Sequence, residues 1–129
     1  MGTIRQFEDI EAWQKARELA KRIYQVTATG EFSRDFGLKD QMRGAGVSIL
    51  SNIAEGFERG GDKEFVQFIA VAKGSSAEVR AQLYVALDQG YVNQETFEYV
   101  SEYATQISKM VSGLGKYLRT SEYKGRKYK

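Results

Sequence analysis

The chain predicts an all-α domain, an up-down-up-down antiparallel four-helix bundle. Three observations carry that expectation. Its 129 residues include no proline, whereas loops and sheet edges normally recruit some. Apolar residues recur at three- and four-residue spacing through four long stretches, and none alternates with period two. The links between the stretches are short, which forces consecutive helices to run antiparallel. At this length the chain is one domain with a core of moderate size.

Helix one is expected from Asp9 to Ala28, on the spacing of Ile10, Trp13, Ala16, Ala20, Ile23 and Val26. Leu19 and Tyr24 widen that stripe beyond what one neighbour needs. Gly30 fits a C-terminal cap. Glu31 to Gly37 is a connection. Helix two is expected from Leu38 to Arg59, with Leu38, Met42, Ala45, Ile49, Ile53 and Phe57 on one stripe. Gly60-Gly61 breaks it, and Asp62 suits the N-cap of helix three. That helix runs to Gln89 through Phe65, Ile69, Ala72, Ser76, Val79, Leu83 and Leu87, and Gly90 stops it. Asn93 caps helix four, which carries Phe97, Val100, Ala104, Ile107, Val111, Leu114 and Leu118 and frays near Thr120. Residues 1–120 form the bundle on this reading, and residues 121–129 form a flexible basic tail.

Composition narrows the chemistry. Cysteine and histidine are both absent. Disulfides and thiolate sites are excluded, as are Ser-His and Cys-His nucleophile pairs and a His-containing zinc site. Glu55, Glu58, Glu64 and Glu78 suggest a carboxylate metal cluster, but helical diiron sites also need histidine. A general acid/base pair of glutamates is the residual catalytic option. The expectation is therefore no enzyme, no metal and no cofactor. The N-terminus lacks the apolar run of a signal peptide, and no run approaches transmembrane length. A cytoplasmic protein with no membrane partner is expected.

The net charge of +2 is unevenly placed. Lys124, Arg126, Lys127 and Lys129 stand against Glu122 alone, so the tail holds +3 and the body −1. Tyr117, Tyr123 and Tyr128 interleave with these cations and with Lys116 and Arg119, a pattern that suits nucleic-acid contact. A solubilising tail is the plainer alternative. Basic residues also occur on helix one (Lys15, Arg17, Lys21, Arg22) and on helix two (Lys39, Arg43, Arg59). Acidic residues alternate with many of them, as on a solvated face. The candidate nucleic-acid contacts are Lys39, Arg43, Lys116, Arg119, Lys124, Arg126, Lys127 and Lys129.

Three further patterns have competing explanations. Trp13, Tyr24, Phe65, Phe68, Phe97 and Tyr103 fill a bundle interior, or stack bases if they are exposed beside arginines. Gly44, Gly46 and Gly74 sit within helices, each disfavoured by about 1 kcal/mol relative to alanine. Close helix approach is the expected reason, since Gly44-Ala45-Gly46 lacks the pattern of a phosphate-binding loop. Gln41, Ser48, Asn52 and Glu55 form a polar seam beside the apolar stripe of helix two. The seam is a solvated face, a buried network or a ligand surface. Ser75, Ser76 and Glu78 are its candidate mates if it is buried.

Helix two also carries a resemblance. Phe7-Glu8-Asp9-Ile10-Glu11-Ala12-Trp13, then Phe36-Gly37-Leu38 with Gln41 and Arg43, then Ser48-Ile49-Leu50-Ser51-Asn52-Ile53-Ala54-Glu55-Gly56 are similar to blocks of a known family. Helix three adds Lys63-Glu64-Phe65 with Phe68, Gly74-Ser75 and Glu78. Nearly the whole chain to Leu118 resembles the four-helix-bundle proteins encoded in bacterial 23S ribosomal RNA intervening sequences. That family is related to the accessory variability proteins of diversity-generating retroelements. Two positions depart from its pattern: Gly44 stands where a second arginine is usual, and Leu50 where proline is usual. The resemblance implies a homopentameric ring with a nucleic-acid-binding tendency and no catalysis. Retroelement relatives would add a reverse transcriptase and its RNA as partners. Two functional readings follow. One is an oligomeric RNA- or DNA-binding adaptor; the other is a structural or protein-interaction scaffold that binds no nucleic acid.

Overall fold

A computed structural model of the chain describes residues 4–121. The described residues contain four α-helices, two short 3-10 turns and no strand. A 3-10 turn at Phe7–Asp9 precedes α1 (Glu11–Thr27), and a second at Gly30–Arg34 precedes α2 (Phe36–Glu58). Then follow α3 (Asp62–Asp88) and α4 (Gln94–Ser121). None of these helices is long and apolar enough to cross a membrane.

Side-chain caps set several of the boundaries. The Asp9 carboxylate accepts the backbone N–H groups of Arg5 at 2.9 Å and Gln6 at 3.2 Å. Asp9 is thereby held in the leading 3-10 turn, and α1 begins later than apolar spacing suggests. Asp35 Oδ1 accepts the Leu38 N–H at 3.1 Å, so α2 begins before Leu38. Asn93 Oδ1 accepts the Thr96 N–H at 2.8 Å and caps α4 as expected. Asp62 departs from expectation. Extended Gly61 takes the cap position, and Asp62 is the first helical residue, buried. Gly60 and Gly90 follow the last turns of α2 and α3 at φ +85° and +77°, a conformation that side chains with a Cβ rarely tolerate.

The link from Glu31 to Gly37 is not an open connection. It coils into the second 3-10 turn and drives Phe32 fully into the core. The Phe32 ring stacks on Tyr91 at 5.0 Å. A single apolar residue among polar ones has no periodicity, which is why the spacing of the sequence does not reveal it.

Contacts that advance along one helix retreat along the next. Thr27 of α1 meets Arg43 of α2, and Ile23 meets Gly46. Ser48 and Gly56 of α2 meet Ser75 and Phe65 of α3. Ser76 and Tyr84 of α3 meet Ala104 and Phe97 of α4. Lys15 and Arg22 of α1 lie over the Tyr103 and Tyr99 rings of α4. All four neighbouring pairs are therefore antiparallel and close a four-membered ring of helices. Leu19 is fully buried because α1 packs against both α2 and α4. Ile49, Ile53, Leu83, Ile107 and Val111 complete the centre of the core.

Two glycines allow close approach. A Cβ on Gly46 would lie 2.8 Å from Ile23 Cδ1. One on Gly56 would lie 2.7 Å from Phe65 Cδ1 and 2.8 Å from Phe68 Cβ. The expectation fails for Gly44 and Gly74, which have open space where a Cβ would go. Both belong to an outward surface that continues through Val47, Val71 and Val85, all exposed. Whereas α1 and α4 separate apolar from polar sides sharply, α2 and α3 carry apolar residues on the outside as well.

Candidate nucleic-acid interface

Of the eight cations that the sequence singles out, the four that lie among the described residues do not form one cluster. Arg43 reaches back across the α1–α2 contact. Its Nε donates to Thr27 Oγ1 at 2.8 Å and its Nη2 to the Tyr24 carbonyl at 3.4 Å. Thr27 in turn donates to the Ile23 carbonyl at 2.7 Å. Lys39 Nζ donates to the Ser33 carbonyl at 3.1 Å. Arg43 thus caps the C-terminal turn of α1, where carbonyls lack helical partners and a cation is favoured. Lys39 does the same for the second 3-10 turn.

Lys116 and Arg119 are exposed in the last turns of α4. Because α2 and α4 run parallel in an alternating bundle, the Lys39–Arg43 pair and the Lys116–Arg119 pair sit at opposite ends. Lys124, Arg126, Lys127 and Lys129, with the tail they belong to, lie outside the described residues.

The polar seam divides. Ser48 and Ser75 hydroxyls share a hydrogen bond of 2.8 Å, and Asn52 Nδ2 donates to the Ser48 carbonyl at 2.8 Å and to its Oγ at 3.0 Å. That half is an α2–α3 contact, with Ser75 buried as the expected mate. Ser76 turns the other way and donates to the Ala104 carbonyl of α4 at 2.7 Å. Gln41 and Glu55 are exposed, and Glu55 pairs with Arg59 at 3.0 Å, a solvent-screened contact worth little. Gln41 and Glu55 are therefore not part of one buried seam. Gln41, Ser48 and Glu55 recur at seven-residue steps along one side of α2, and of them Ser48, half-buried, is the one hydrogen-bonded to α3.

The aromatic set divides as well. Phe65 and Phe97 are buried, and Trp13, Phe68 and Tyr103 are half-buried. Tyr24 is 45% exposed, and the Arg43 guanidinium lies 4.3 Å from its ring centre. Phe36, outside the aromatic set considered above, is 66% exposed with Lys39 Nζ 4.9 Å from its ring centre. These are exposed rings beside cations. On α1, Trp13, Arg17, Lys21 and Tyr24 follow each other at four-, four- and three-residue steps along one side. The Arg17 guanidinium lies 6.0 Å from the Trp13 ring centre. Arg17 and Lys21 are exposed. Among the described residues neither is ion-paired, and no group of three or more metal-binding side chains occurs. Helical spacing could have joined Arg17 and Lys21 to Tyr24. The approach of Phe36 to the same edge required the tertiary contact made by Arg43.

One titration is displaced. The Tyr91 hydroxyl donates to Asp35 Oδ2 at 2.9 Å. That hydrogen bond raises the Tyr91 pKa above the usual tyrosine range, assisted by burial and by the negative charges of Asp35 and Glu31.

The sequence model of the 23S rRNA-intervening sequence protein family matches residues 8–113. The chain belongs to that family. The match spans all of α1, α2 and α3 and most of α4. Among solved structures, the chain is similar to a Bacteroides thetaiotaomicron protein of unknown function from the S23 ribosomal protein family. The TM-score is 0.76 at 23% identity, over 81% of this chain and 95% of that one. At that identity the likeness bears on the fold alone, and it agrees with the helical bundle described above. No curated protein gives a significant match.

Proposed function

We propose that this member of the 23S rRNA-intervening sequence protein family is a non-catalytic, oligomeric, nucleic-acid-binding adaptor. The observation that carries the reading is the outward face of α2 and α3. Gly44 and Gly74 leave open space there, and Val47, Val71 and Val85 are exposed around them. A face of small and apolar residues suits close helix contact between copies, and the family resemblance implies a homopentameric ring. A ring would repeat Lys116, Arg119, Arg17 and Lys21 around an axis, so weak contacts would add through multivalency. Those contacts would fall mainly on phosphate, which fixes position without reading sequence. A reverse transcriptase of a retroelement, with its RNA, is the partner that the resemblance adds.

Sedimentation of the full chain and nucleic-acid binding across a salt series test the reading together. An oligomer is expected, with affinity falling steeply as salt rises. Truncation after Thr120 should lower that slope and leave the bundle folded. A strict monomer at micromolar concentration refutes the assembly. Absence of binding to RNA and DNA at low salt refutes the adaptor.

A protein-interaction scaffold is the second reading, and one observation favours it. Lys39 and Arg43 already donate to carbonyls of their own chain. It predicts the same oligomer with no nucleic-acid affinity.

A further inference from the structure

The edge shared by α1 and the start of α2 is built differently from the rest of the surface. Tyr24 and Phe36 expose their rings, and each keeps a cation over it. Those cations are held in place from behind. Arg43 is tied to Thr27 and the Tyr24 carbonyl, and Lys39 to the Ser33 carbonyl. The rings are thus backed by anchored side chains rather than left to move freely. Arg17 and Lys21, exposed and without an ion pair among the described residues, continue the edge along α1. Carboxylates stand beside this edge as well: Glu18, 3.3 Å from Arg22, lines the same shallow depression as Arg17 and Lys21, and Asp35 and Asp40 flank Phe36 and Lys39 in sequence.

Duplex nucleic acid hides its base faces, so exposed rings gain nothing from it. A single strand presents phosphates and base faces together, and stacking on aromatics tolerates any base. We infer that this edge binds single-stranded nucleic acid, with bases stacked on Phe36 and Tyr24 and phosphates on Arg17 and Lys21. The inference rests on the adaptor reading and specifies its ligand. From Arg17 to Tyr24 the stripe rises about 10 Å.

The test uses the full chain and a labelled oligouridylate of about a dozen nucleotides, beside an RNA duplex of the same length. Fluorescence anisotropy at low salt measures both. Phe36→Ala and Tyr24→Ala should each weaken single-strand binding by about 5- to 150-fold and leave duplex binding as in the parent. Phe36→Trp should bind the single strand at least as well as the parent. Arg17→Gln combined with Lys21→Gln should lower the log-log salt slope by about 1.4, the value for two phosphates of a single strand.

Unchanged single-strand affinity in both alanine variants overturns the inference while leaving the adaptor intact. Equal losses on duplex and single strand overturn it too, since stacking would not be the contact. A changed sedimentation profile for Phe36→Ala would reassign that ring to a contact between copies and also overturn it. Failure of the parent to bind any nucleic acid at low salt is the separate result that removes the adaptor reading itself.

Discussion

Gly56→Ala tests the close approach of α2 and α3 directly. Intrinsic propensity alone says the change should help, because alanine is favoured over glycine by about 1 kcal/mol inside a helix. The structure says the opposite. The added methyl would meet Phe65 Cδ1 at 2.7 Å and Phe68 Cβ at 2.8 Å. The second contact decides the matter. Phe68 Cβ is fixed to the α3 backbone, so a rotamer change cannot clear it and the two helices have to move apart. Overpacking of this kind costs about 1–3 kcal/mol, occasionally more. Two contacts within 3 Å place the gross penalty at the upper end, and the propensity gain leaves a net loss of about 1–2 kcal/mol. For a chain of this size that corresponds to a fall in Tm of about 4–8 °C. Urea and thermal melts of Gly56→Ala and of Gly74→Ala give the comparison. Gly74 has open space for the methyl. Its variant should lose no folding stability, and sedimentation compares its assembly with the parent's. A Gly56→Ala protein that melts at or above the parent temperature would refute the argument from close approach.

Arg43→Met keeps the aliphatic stem and removes the donors to Thr27 and to the Tyr24 carbonyl. It should destabilise the bundle by about 1–2 kcal/mol in urea melts, and amide exchange should quicken in the last turn of α1. A silent melt would show that the cap contributes nothing. Tyr91 supplies a pH dependence. Its raised pKa means that the folded state favours the protonated phenol. Its contribution is complete below the ordinary tyrosine value of about 10 and is lost as pH rises through the folded value. Stability of the parent should fall more steeply in that alkaline range than stability of Tyr91→Phe. Parallel curves for the two proteins would contradict it.

The bundle was legible because its information is periodic. Ile49, Ile53, Leu83, Ile107 and Val111 repeat at helical spacing, and all are buried. Asn93 announces its cap by local chemistry alone. What was illegible depends on a neighbour. Phe32 is one ring among polar residues, and its burial is decided by Tyr91, far along the chain. Gly46 and Gly44 are two residues apart in sequence, yet only Gly46 has Ile23 against it. The binding residues show the same limit. Composition marks Lys39 and Arg43 as cations, but only the folded chain shows that their donors are engaged with carbonyls. It also takes the fold to set Phe36 on the same edge as Tyr24.

Asp35 has a consequence for how the bundle can open. One of its oxygens starts α2 and the other holds Tyr91, in the link between α3 and α4. The chain itself joins the α1–α2 hairpin to the α3–α4 hairpin only at Gly60-Gly61, at the opposite end. The two hairpins therefore resemble the arms of a pair of tongs, with a glycine pivot and a clasp at the tips. The 27 residues of α3 set the arm at about 40 Å. A contact at the tips resists parting of the arms with far more leverage than the same contact beside the pivot. The Asp35–Tyr91 hydrogen bond and the Phe32–Tyr91 stack sit where that leverage is greatest.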